Sequence, residues 1–393
     1  MATTPSHLSR SVPRRPRLLI VVNVPWFFVM HRMSVALMAQ ARGVDVHIAC
    51  GEGAGREDIE AAGLQFHSLP LTRASFAPWS DARSVAALVR LYREVRPDVV
   101  HHVTLKPVIF GSIAARVAGV RGVINAFSGL GHAFGGVSSA ARMRRWAIQR
   151  LIAMSLKLPR QKAVFENQDD RELLIGTRSV TREESLVIAG VGVDTEEFFA
   201  SAEPATPVCV LMACRMLREK GVLYFVEAAR RLKKRGVVAR FLLVGAPDPF
   251  NRGSITEDEL RAWSREGIVE WQGYQRDMPQ VVRAAHILCL PTYYREGVPR
   301  ILMEGAASGR ALVTTDMPGC RDIVQDGVNG FVVPPHDVEA LEAALERLIT
   351  DAALRARLGA AGRTIAEQHF GLPRVLEQFW ALYLAIGLQE RSA

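Results

Sequence analysis

The chain has 393 residues, of which 49% are apolar and 23% charged, values typical of a soluble globular protein with room for two domains. This composition excludes the disordered and fibrous classes. No apolar run reaches the length of about 20 residues that a membrane-spanning helix needs.

The net charge of +9 lies almost entirely in the first half of the chain. Residues 1–200 contain 25 Lys and Arg against 17 Asp and Glu. A polyanionic partner is therefore expected to meet this half. Residues 1–16 are basic and lack the apolar core of a secretory signal, so we interpret them as a flexible leader and expect a cytoplasmic protein.

In the first half, short apolar runs alternate with amphipathic helical stretches, a pattern typical of parallel sheets covered by helices. Arg-Pro-Asp at 96–98 ends one helix and leads into a strand, because proline disfavours helix in the residue before it. The predicted strands cover 18–22, 44–50, 98–103, 122–127 and 163–167, and the predicted helices cover 31–42, 84–95 and 108–118.

The same alternation restarts after a linker over 191–207, which ends in a proline-rich stretch. The whole pattern predicts an α/β protein with two Rossmann-like, doubly wound domains over 17–190 and 208–370, followed by a helical tail over 371–393. In the second half, the predicted strands cover 208–213, 239–245, 268–273, 286–291 and 311–315, and the predicted helices cover 222–235, 257–266, 278–285 and 300–308.

The segment PTYYREGVPRILMEG at 291–305 is the most informative part of the chain. It runs from the end of a strand through a polar loop into a helix, which is where open α/β sheets bind ligands. A helix N-terminus favours phosphate, and Gly297 lets the backbone approach a ligand closely. Glu296 and Glu304 are suited to accepting hydrogen bonds from sugar hydroxyls, which their charge strengthens.

Cations that could hold a diphosphate follow the first strand of the same half. The sequence RMLREKG at 215–221 places Arg215 and Lys220 on the loop before the next helix. A forked guanidinium and a mobile ammonium together suit a diphosphate leaving group. Neutralising its charge as it departs stabilises the transition state.

These motifs resemble those of the family-4 retaining glycosyltransferases of the GT-B fold, in which two Rossmann-like domains face a cleft. The resemblance rests on "EGVPRILME" and "RMLREKG" and extends to "AGVGVDTEEF" at 189–198 and "GVNGFVVPPHD" at 327–337. It spans nearly the whole chain. It implies that the C-terminal helix returns towards the N-terminal domain.

The resemblance also implies a function, which is transfer of a hexose or N-acetylhexosamine from a nucleotide sugar, with UDP as the expected nucleotide. The nucleotide sugar is a co-substrate, and no cofactor or metal is expected. By the same resemblance, the donor diphosphate would be held by Arg215 and Lys220, and the donor sugar would be contacted by Glu296. The sugar and phosphate would lie against the backbone of Gly297, Val298 and Pro299. The ribose would be bound by Glu304, and the base would be flanked by Gly273 and Tyr274.

The N-terminal half is interpreted as the acceptor domain. Its first strand is not followed by a G-x-G-x-x-G loop, which excludes a dinucleotide-binding Rossmann domain. The stretches "VPWFFVMHRM", "HHVTLKPVIFGSIAA" and "INAFSGLGHAF" resemble a branch that builds bacterial surface polysaccharides on polyprenyl-diphosphate-linked acceptors. The acceptor-binding candidates are His102, Thr104, Lys106 and Ser128.

No residue of this half is a secure general base. Some relatives carry a histidine near the reacting sugar at the position that is Ser128 here. A retaining mechanism can leave deprotonation of the acceptor to the departing phosphate, so this departure leaves the fold prediction unchanged.

A basic stretch at 140–162 contains seven Lys and Arg and no acid. As a helix, it would have one apolar side made of Trp146, Ile148, Leu151, Ile152 and Leu156. Such a helix fits the anionic inner surface of a cell membrane, which would suit a lipid-linked acceptor. The alternative is an ordinary helix whose apolar side is core. No nucleic-acid-binding motif is present.

Two other functions are not excluded by the sequence. A nucleotide-sugar epimerase can have a similar architecture, but it needs acid and base residues on both sides of a sugar carbon, and none is well placed. A non-catalytic partner of another transferase would not need the glutamates and cations described above.

Overall fold

A computed structural model describes residues 14–71, 78–134 and 138–389. Residues 1–13 of the predicted leader lie outside this description. The described residues form two all-parallel sheets that are both covered by helices. The predicted pair of Rossmann-like, doubly wound domains is confirmed.

The first sheet has seven strands in the order β3-β2-β1-β4-β5-β6-β7. Its strands are β1 (Arg17–Val21), β2 (Asp45–Cys50), β3 (Gln65–Ser68), β4 (Val99–Val103), β5 (Gly122–Phe127), β6 (Gln161–Phe165) and β7 (Ser185–Val187). The helices around it are α1 (Pro25–His31), α2 (Met33–Ala41), α3 (Arg56–Ala61), α4 (Pro78–Val95), α5 (Leu105–Ala118), α6 (Gly131–Phe134), α7 (Ser139–Ser155) and α8 (Gln168–Gly176).

The second sheet has six strands in the order β10-β9-β8-β11-β12-β13. Its strands are β8 (Val208–Ala213), β9 (Ala239–Val244), β10 (Glu270–Trp271), β11 (Ile287–Leu290), β12 (Ala311–Thr315) and β13 (Gly330–Val333). The helices that follow are α9 (Val222–Lys234), α10 (Glu257–Arg265), α11 (Met278–Arg283), α12 (Arg300–Ala307), α13 (Cys320–Ile323), α14 (Val338–Thr350), α15 (Ala352–Ile365) and α16 (Leu372–Ile386).

In both sheets the strand order reverses next to the first strand of the domain. This switch point lies between β1 and β4 in the first sheet and between β8 and β11 in the second. Crevices at the carboxyl ends of such strands are the usual ligand sites of doubly wound sheets. The loops that carry Lys220 and Glu296 follow β8 and β11, so the topology brings them side by side.

The predicted helix over 31–42 is wrong in its extent. The structure has two helices here, and α1 begins with Pro25 in its first turn, where the fixed φ of proline favours helix. Arg32 separates α1 from α2 with φ −137° and ψ −3°. Because of this break, His31 ends α1 and Arg32 lies between the two helices, whereas the prediction had both residues at the start of one helix.

The last helix packs on the first domain, although it follows the second along the chain. Phe379, Trp380 and Tyr383 of α16 are buried in one cluster with side chains of β1, β2 and β4. The Tyr383 hydroxyl lies 2.8 Å from His101 Nδ1, inside the protein. This helix therefore ties the two halves together.

The apolar side predicted for the basic helix is corrected by the structure. Ile148, Ile152 and Leu156 are buried in the first-domain core. Trp146 and Leu151 are exposed instead, because the rotation of about 100° per residue turns them away from the buried side of α7. The exposed side gains Met143 and Met154 and therefore carries its own apolar stripe among arginines.

Candidate active site

The turn after β8 carries the predicted cations and closes against the loop that follows β11. A short 3-10 turn, Arg218–Lys220, ends at Gly221, whose φ of 85° lies in the left-handed region. A Cβ atom at Gly221 would stand 2.0 Å from the carbonyl oxygen of Pro291. Only glycine permits this approach, which places Lys220 beside the Glu296 loop.

Lys220 and Glu296 form an ion pair at the centre of the site. The Lys220 ammonium donates to Glu296 Oε1 in a very short contact, and the Thr292 hydroxyl lies 3.2 Å from the same oxygen. Burial lowers the pKa of Lys220, but the Glu296 carboxylate outweighs burial, so the net shift of the pKa is upward. Lys220 is therefore a cation at neutral pH.

Arg215 lies at the open rim of the site with its side chain 38% exposed. Its guanidinium donates to Asp248 at 2.7 Å. Asp248 belongs to the loop after β9, which also binds the main chain of Met216 through Ala246 and Ile255. A neighbouring loop therefore orients Arg215, while the Glu296 carboxylate pairs with Lys220.

Glu304 lies in the second turn of α12 and is 4% exposed. Burial raises the pKa of its carboxyl group, and Arg300 opposes that rise. Arg300 Nε donates to Glu304 at 2.7 Å. A second nitrogen of the same guanidinium donates to the carbonyl oxygen of Met30, in the first domain, at 2.9 Å.

The segment between Glu296 and α12 is packed tightly from both sides. A Cβ atom at Gly297 would lie 1.9 Å from a carboxylate oxygen of Glu166, and one at Gly319 would lie 1.5 Å from the Gly297 carbonyl oxygen. The Val298 side chain is buried, and Pro299 is the N-cap of α12. Only the backbone of this segment is thus suited to ligand contact.

Gly273 and Tyr274, the predicted base contacts, follow β10 at the edge of the sheet. The Gly273 carbonyl oxygen accepts a hydrogen bond of 2.7 Å from the Gly245 N–H. Tyr274 is 67% exposed. One strand, β9, separates them from β8, which is followed by the turn that carries Lys220.

A histidine that the sequence motifs did not single out lies near these groups. His31, at the end of α1, is partly buried, and its ring stacks on Phe27 with ring centroids 4.1 Å apart. Its pKa is lowered to about 3, first by burial and then by nearby cations, which are Arg32, Arg300, Lys220 and Arg215. Cations from both domains therefore surround one cleft. The signal in the sequence was Pro25, because proline is favoured in the first turn of a helix and so indicates a short helix that ends near His31.

Arg32 lies next to His31 and was also missed. Its side chain is 1% exposed and donates to Glu166 Oε1 at 3.2 Å and to the Ser128 hydroxyl at 3.3 Å. Ser128 follows β5 and Glu166 follows β6. Because the Glu166 carboxylate also packs against Gly297 of the second domain, these contacts place the predicted acceptor residue Ser128 at the boundary between the domains.

The other predicted acceptor residues differ in position. His102 is fully buried, with Nε2 2.9 Å from the Tyr92 hydroxyl and Nδ1 2.8 Å from Asn125 Oδ1. Burial lowers the pKa of His102 to about 4. Both ring nitrogens thus have partners inside the first domain, and the structure does not place His102 at the cleft.

Thr104 directly follows β4, and Lys106 lies in the first turn of α5. The Lys106 ammonium is 3.3 Å from Asp81, and the residue is 9% exposed. Thr104 adopts a φ of 73° and accepts a hydrogen bond of 3.0 Å from Asn23, across the switch point of the first sheet. Thr104 is therefore better placed than Lys106 for contact with a ligand.

Metal ligands do not cluster in the part of the chain that the structure describes, where no group of three or more His, Cys, Asp or Glu side chains could hold an ion. In the same residues, no helix is long and apolar enough to cross a membrane.

Two family models match the chain, one for each domain. The model described as "Glycosyl transferase 4-like" matches residues 17–158, and the model described as "Glycosyl transferases group 1" matches residues 207–351. The second match contains the cationic turn and both glutamates.

Two bacterial relatives match most of the chain. An N,N'-diacetylbacillosaminyl-diphospho-undecaprenol alpha-1,3-N-acetylgalactosaminyltransferase of Campylobacter jejuni is 26% identical and covers 83% of this chain and 88% of its own length. A UDP-Gal:alpha-D-GlcNAc-diphosphoundecaprenol alpha-1,3-galactosyltransferase of Escherichia coli is 23% identical, with 79% and 81% covered.

Solved structures share the fold over nearly the full length. A glycosyltransferase from Rickettsia africae superposes with a TM-score of 0.76 at 19% identity, covering 95% of this chain and 99% of its own. HepE from Anabaena, solved in complex with UDP, has a TM-score of 0.74 at 18% identity, covering 95% and 100%.

Proposed function

Because the chain belongs to the glycosyltransferases of the GT-B fold, with a 4-like domain followed by a group 1 domain, we propose that it transfers a sugar from a UDP-sugar to a polyprenyl-diphosphate-linked glycan. The transfer retains the anomeric configuration and serves bacterial surface polysaccharide synthesis. The observation that carries this proposal is the buried ion pair of Lys220 and Glu296 at the switch point of the second sheet.

The donor occupies the crevice beyond β8 and β11. Lys220 and Arg215 bind its diphosphate, since a buried ammonium and a rim guanidinium stand beside each other there. Glu296 accepts hydrogen bonds from the sugar hydroxyls, and Glu304 accepts them from the ribose. The backbone of Gly297, Val298 and Pro299 lines the sugar and phosphate, and Gly273 and Tyr274 flank the base.

The reaction exchanges one bond at the anomeric carbon of the donor. An acceptor hydroxyl oxygen forms a bond to that carbon as the bond to the UDP phosphate oxygen breaks. The hydroxyl proton passes to the departing phosphate oxygen, and UDP leaves with its charge neutralised by Lys220 and Arg215. These side chains do the electrostatic work that a metal ion does in other enzymes, so we propose that the reaction is metal-independent.

The acceptor approaches from the first domain. The two relatives described above act, by their names, on undecaprenol-diphosphate-linked sugars. The excess positive charge of residues 1–200 suits such an anionic substrate. Among the candidates of this domain, we propose that Ser128, which follows β5, and Thr104, which follows β4, meet the acceptor.

The surface of α7 supports contact with the membrane in which such an acceptor is embedded. Four exposed apolar side chains, Met143, Trp146, Leu151 and Met154, lie on a helix that carries arginines and no acid. Apolar residues enter the interface between headgroups and acyl chains, while each basic residue adds about 1 kcal/mol near an anionic surface. We propose that this surface binds the inner face of the cell membrane.

Release of UDP tests the transfer reaction. Purified protein with UDP-galactose or UDP-N-acetylgalactosamine and a short-chain polyprenyl-diphosphate-linked N-acetylhexosamine should release UDP and form a glycosylated lipid that retains the donor's anomeric configuration. Glu296→Ala should abolish this turnover. Unchanged turnover in that variant would contradict the role of Glu296. Conversion of the donor without any acceptor would favour an epimerase.

Sedimentation with anionic vesicles tests the membrane surface. The wild-type protein should bind vesicles that contain phosphatidylglycerol, and Trp146→Glu should weaken binding without changing turnover of a water-soluble acceptor. Val238→Glu is the matched control, because Val238 is 79% exposed in the second domain and away from α7. Equal loss in both variants would contradict a role for α7.

A further inference from the structure

The first domain holds the loop that carries Glu296. The side-chain amide of Asn167, just after β6, donates to the main-chain carbonyl oxygen of Glu296 at 2.8 Å. Asp170, one turn further on, accepts two hydrogen bonds from the guanidinium of Arg295, at 2.7 and 3.2 Å. Two side chains of one domain therefore bind two consecutive residues of the other.

The first-domain side chains in these contacts are buried, and other bonds fix them. Asn167 is 0% exposed and Asp170 is 1% exposed. The Asn167 side-chain oxygen accepts from the Asp170 N–H at 2.8 Å, which caps α8. The second carboxylate oxygen of Asp170 accepts from the Leu130 N–H at 3.0 Å. Charged hydrogen bonds in such a setting are stronger and more directional than those in water.

Glycines of the first domain lie directly against the same loop. A Cβ atom at Gly129 would stand 2.7 Å from the Gly297 main-chain nitrogen, and one at Gly131 would stand 2.0 Å from the Tyr294 hydroxyl. Backbone thus meets backbone here, and the loop has no room to shift towards the first domain.

We propose that Asn167 and Asp170 are positioning residues. They hold the Glu296 loop where its carboxylate can contact the donor sugar. This inference rests on the proposed function, in which Glu296 contacts the donor sugar. Lys220 and Thr292 bind the Glu296 carboxylate within the second domain, whereas the main chain of its loop is held from the first domain. The loop is therefore fully positioned only while the domains are engaged. Transfer is thereby coupled to the approach of the acceptor domain, whereas UDP binding through Lys220 and Arg215 is a property of the second domain.

An interdomain contact that does not touch the loop provides a matched control. Asp169 lies on the same turn of α8 and pairs with Arg321 of the second domain at 2.8 Å. Both side chains are well exposed, at 37% and 40%, and exposed pairs contribute little. Asp169→Asn therefore removes one interdomain ion pair without releasing Glu296.

The experiment compares Asn167→Asp, Asp170→Asn and Arg295→Gln with Asp169→Asn in the UDP-release assay described above. Asn167→Asp keeps the capping oxygen of α8 and removes the amide that donates to Glu296. We expect kcat to fall by about ten- to a hundredfold in the three test variants, and to change less than about twofold in the control. The dissociation constant of UDP alone, measured by calorimetry, should stay within about twofold throughout.

A double-mutant cycle of Asp170→Asn with Arg295→Gln should be non-additive in kcat, because both remove one contact. Additive effects, or kcat values equal to the control, would overturn the positioning role. A fall in melting temperature with unchanged kcat per folded molecule would also overturn it. Absence of UDP release by the wild-type protein would instead contradict the proposed function itself.

Discussion

Arg300 joins the buried carboxylate of Glu304 to the first domain. Its Nε donates to Glu304 at 2.7 Å, and another nitrogen of the same side chain donates to the Met30 carbonyl oxygen at 2.9 Å. The group proposed to bind the ribose thus shares its cation with the domain proposed to bind the acceptor.

Replacing Arg300 should weaken donor binding in a pH-dependent way. Burial raises the pKa of Glu304, and the Arg300 cation opposes that rise. Arg300→Met should therefore raise the pKa further, so that more Glu304 is neutral and a weaker acceptor for ribose hydroxyls. We expect the donor KM to rise about tenfold near neutral pH and to fall back as pH increases, because the carboxyl group ionises above its pKa.

The measurement is the donor KM of Arg300→Met and wild type across about pH 6 to 9. Arg321→Met is the control, since Arg321 binds Asp169 and Asp316 and has no contact with Glu304. A donor KM that rises with pH in the Arg300 variant would contradict this account.

Replacing Lys220 and Glu296 together should restore stability but not turnover. Their side chains are 14% and 11% exposed, so removing one partner leaves a charge with little water around it. Lys220→Met or Glu296→Gln should each lower the free energy of unfolding, by about 3 kcal/mol for the lysine variant, which leaves the full charge of Glu296. The double variant should recover most of that loss, while turnover stays reduced by about a hundredfold or more.

Urea unfolding and UDP release measured on the same preparations test this expectation. If the double variant is as unstable as Lys220→Met, the ion pair is not the source of the effect. If the double variant regains turnover, the two groups do not act on the donor.

Gly221 should be intolerant of a side chain for a reason that Gly236 does not share. Their φ angles are nearly equal, at 85° and 82°, but an added Cβ meets the Pro291 carbonyl oxygen only at Gly221. Gly236→Ala should cost about 1–2 kcal/mol of backbone strain. Gly221→Ala should cost more and should also raise the donor KM, because the Lys220 and Glu296 loops must separate. Equal effects in both variants would show that packing against Pro291 is unimportant.

His102 should contribute to stability and not to acceptor binding. It links Tyr92 of α4 to Asn125 of β5 inside the first domain. His102→Ala should lower the free energy of unfolding by about 2–4 kcal/mol, through lost hydrogen bonds and a cavity. The acceptor KM per folded molecule should stay unchanged, whereas Ser128→Ala should raise it with a smaller loss of stability, about 1 kcal/mol for the hydrogen bond from Arg32. A raised acceptor KM in the His102 variant would show that His102 contributes to acceptor binding.

The fold class and the donor loops could be predicted from the sequence. Alternation of apolar runs with helical periodicity predicts parallel sheets, and strands β1, β4, β8 and β11 follow directly from it. The loops after β8 and β11 could be identified because each carries its charged residues next to a strand end. Strands β3 and β7 were missed, since both are short and partly exposed at sheet edges.

The packing of the two domains determines which side chains meet across the cleft. Asn167 and Glu296 are 129 residues apart, and no local pattern relates them. The tertiary structure also separates Ser128, at the boundary between the domains, from His102, in the core, although both follow or end strands of the same sheet. Local periodicity encodes which face of an element is buried, but which partner lies against that face depends on how whole domains pack.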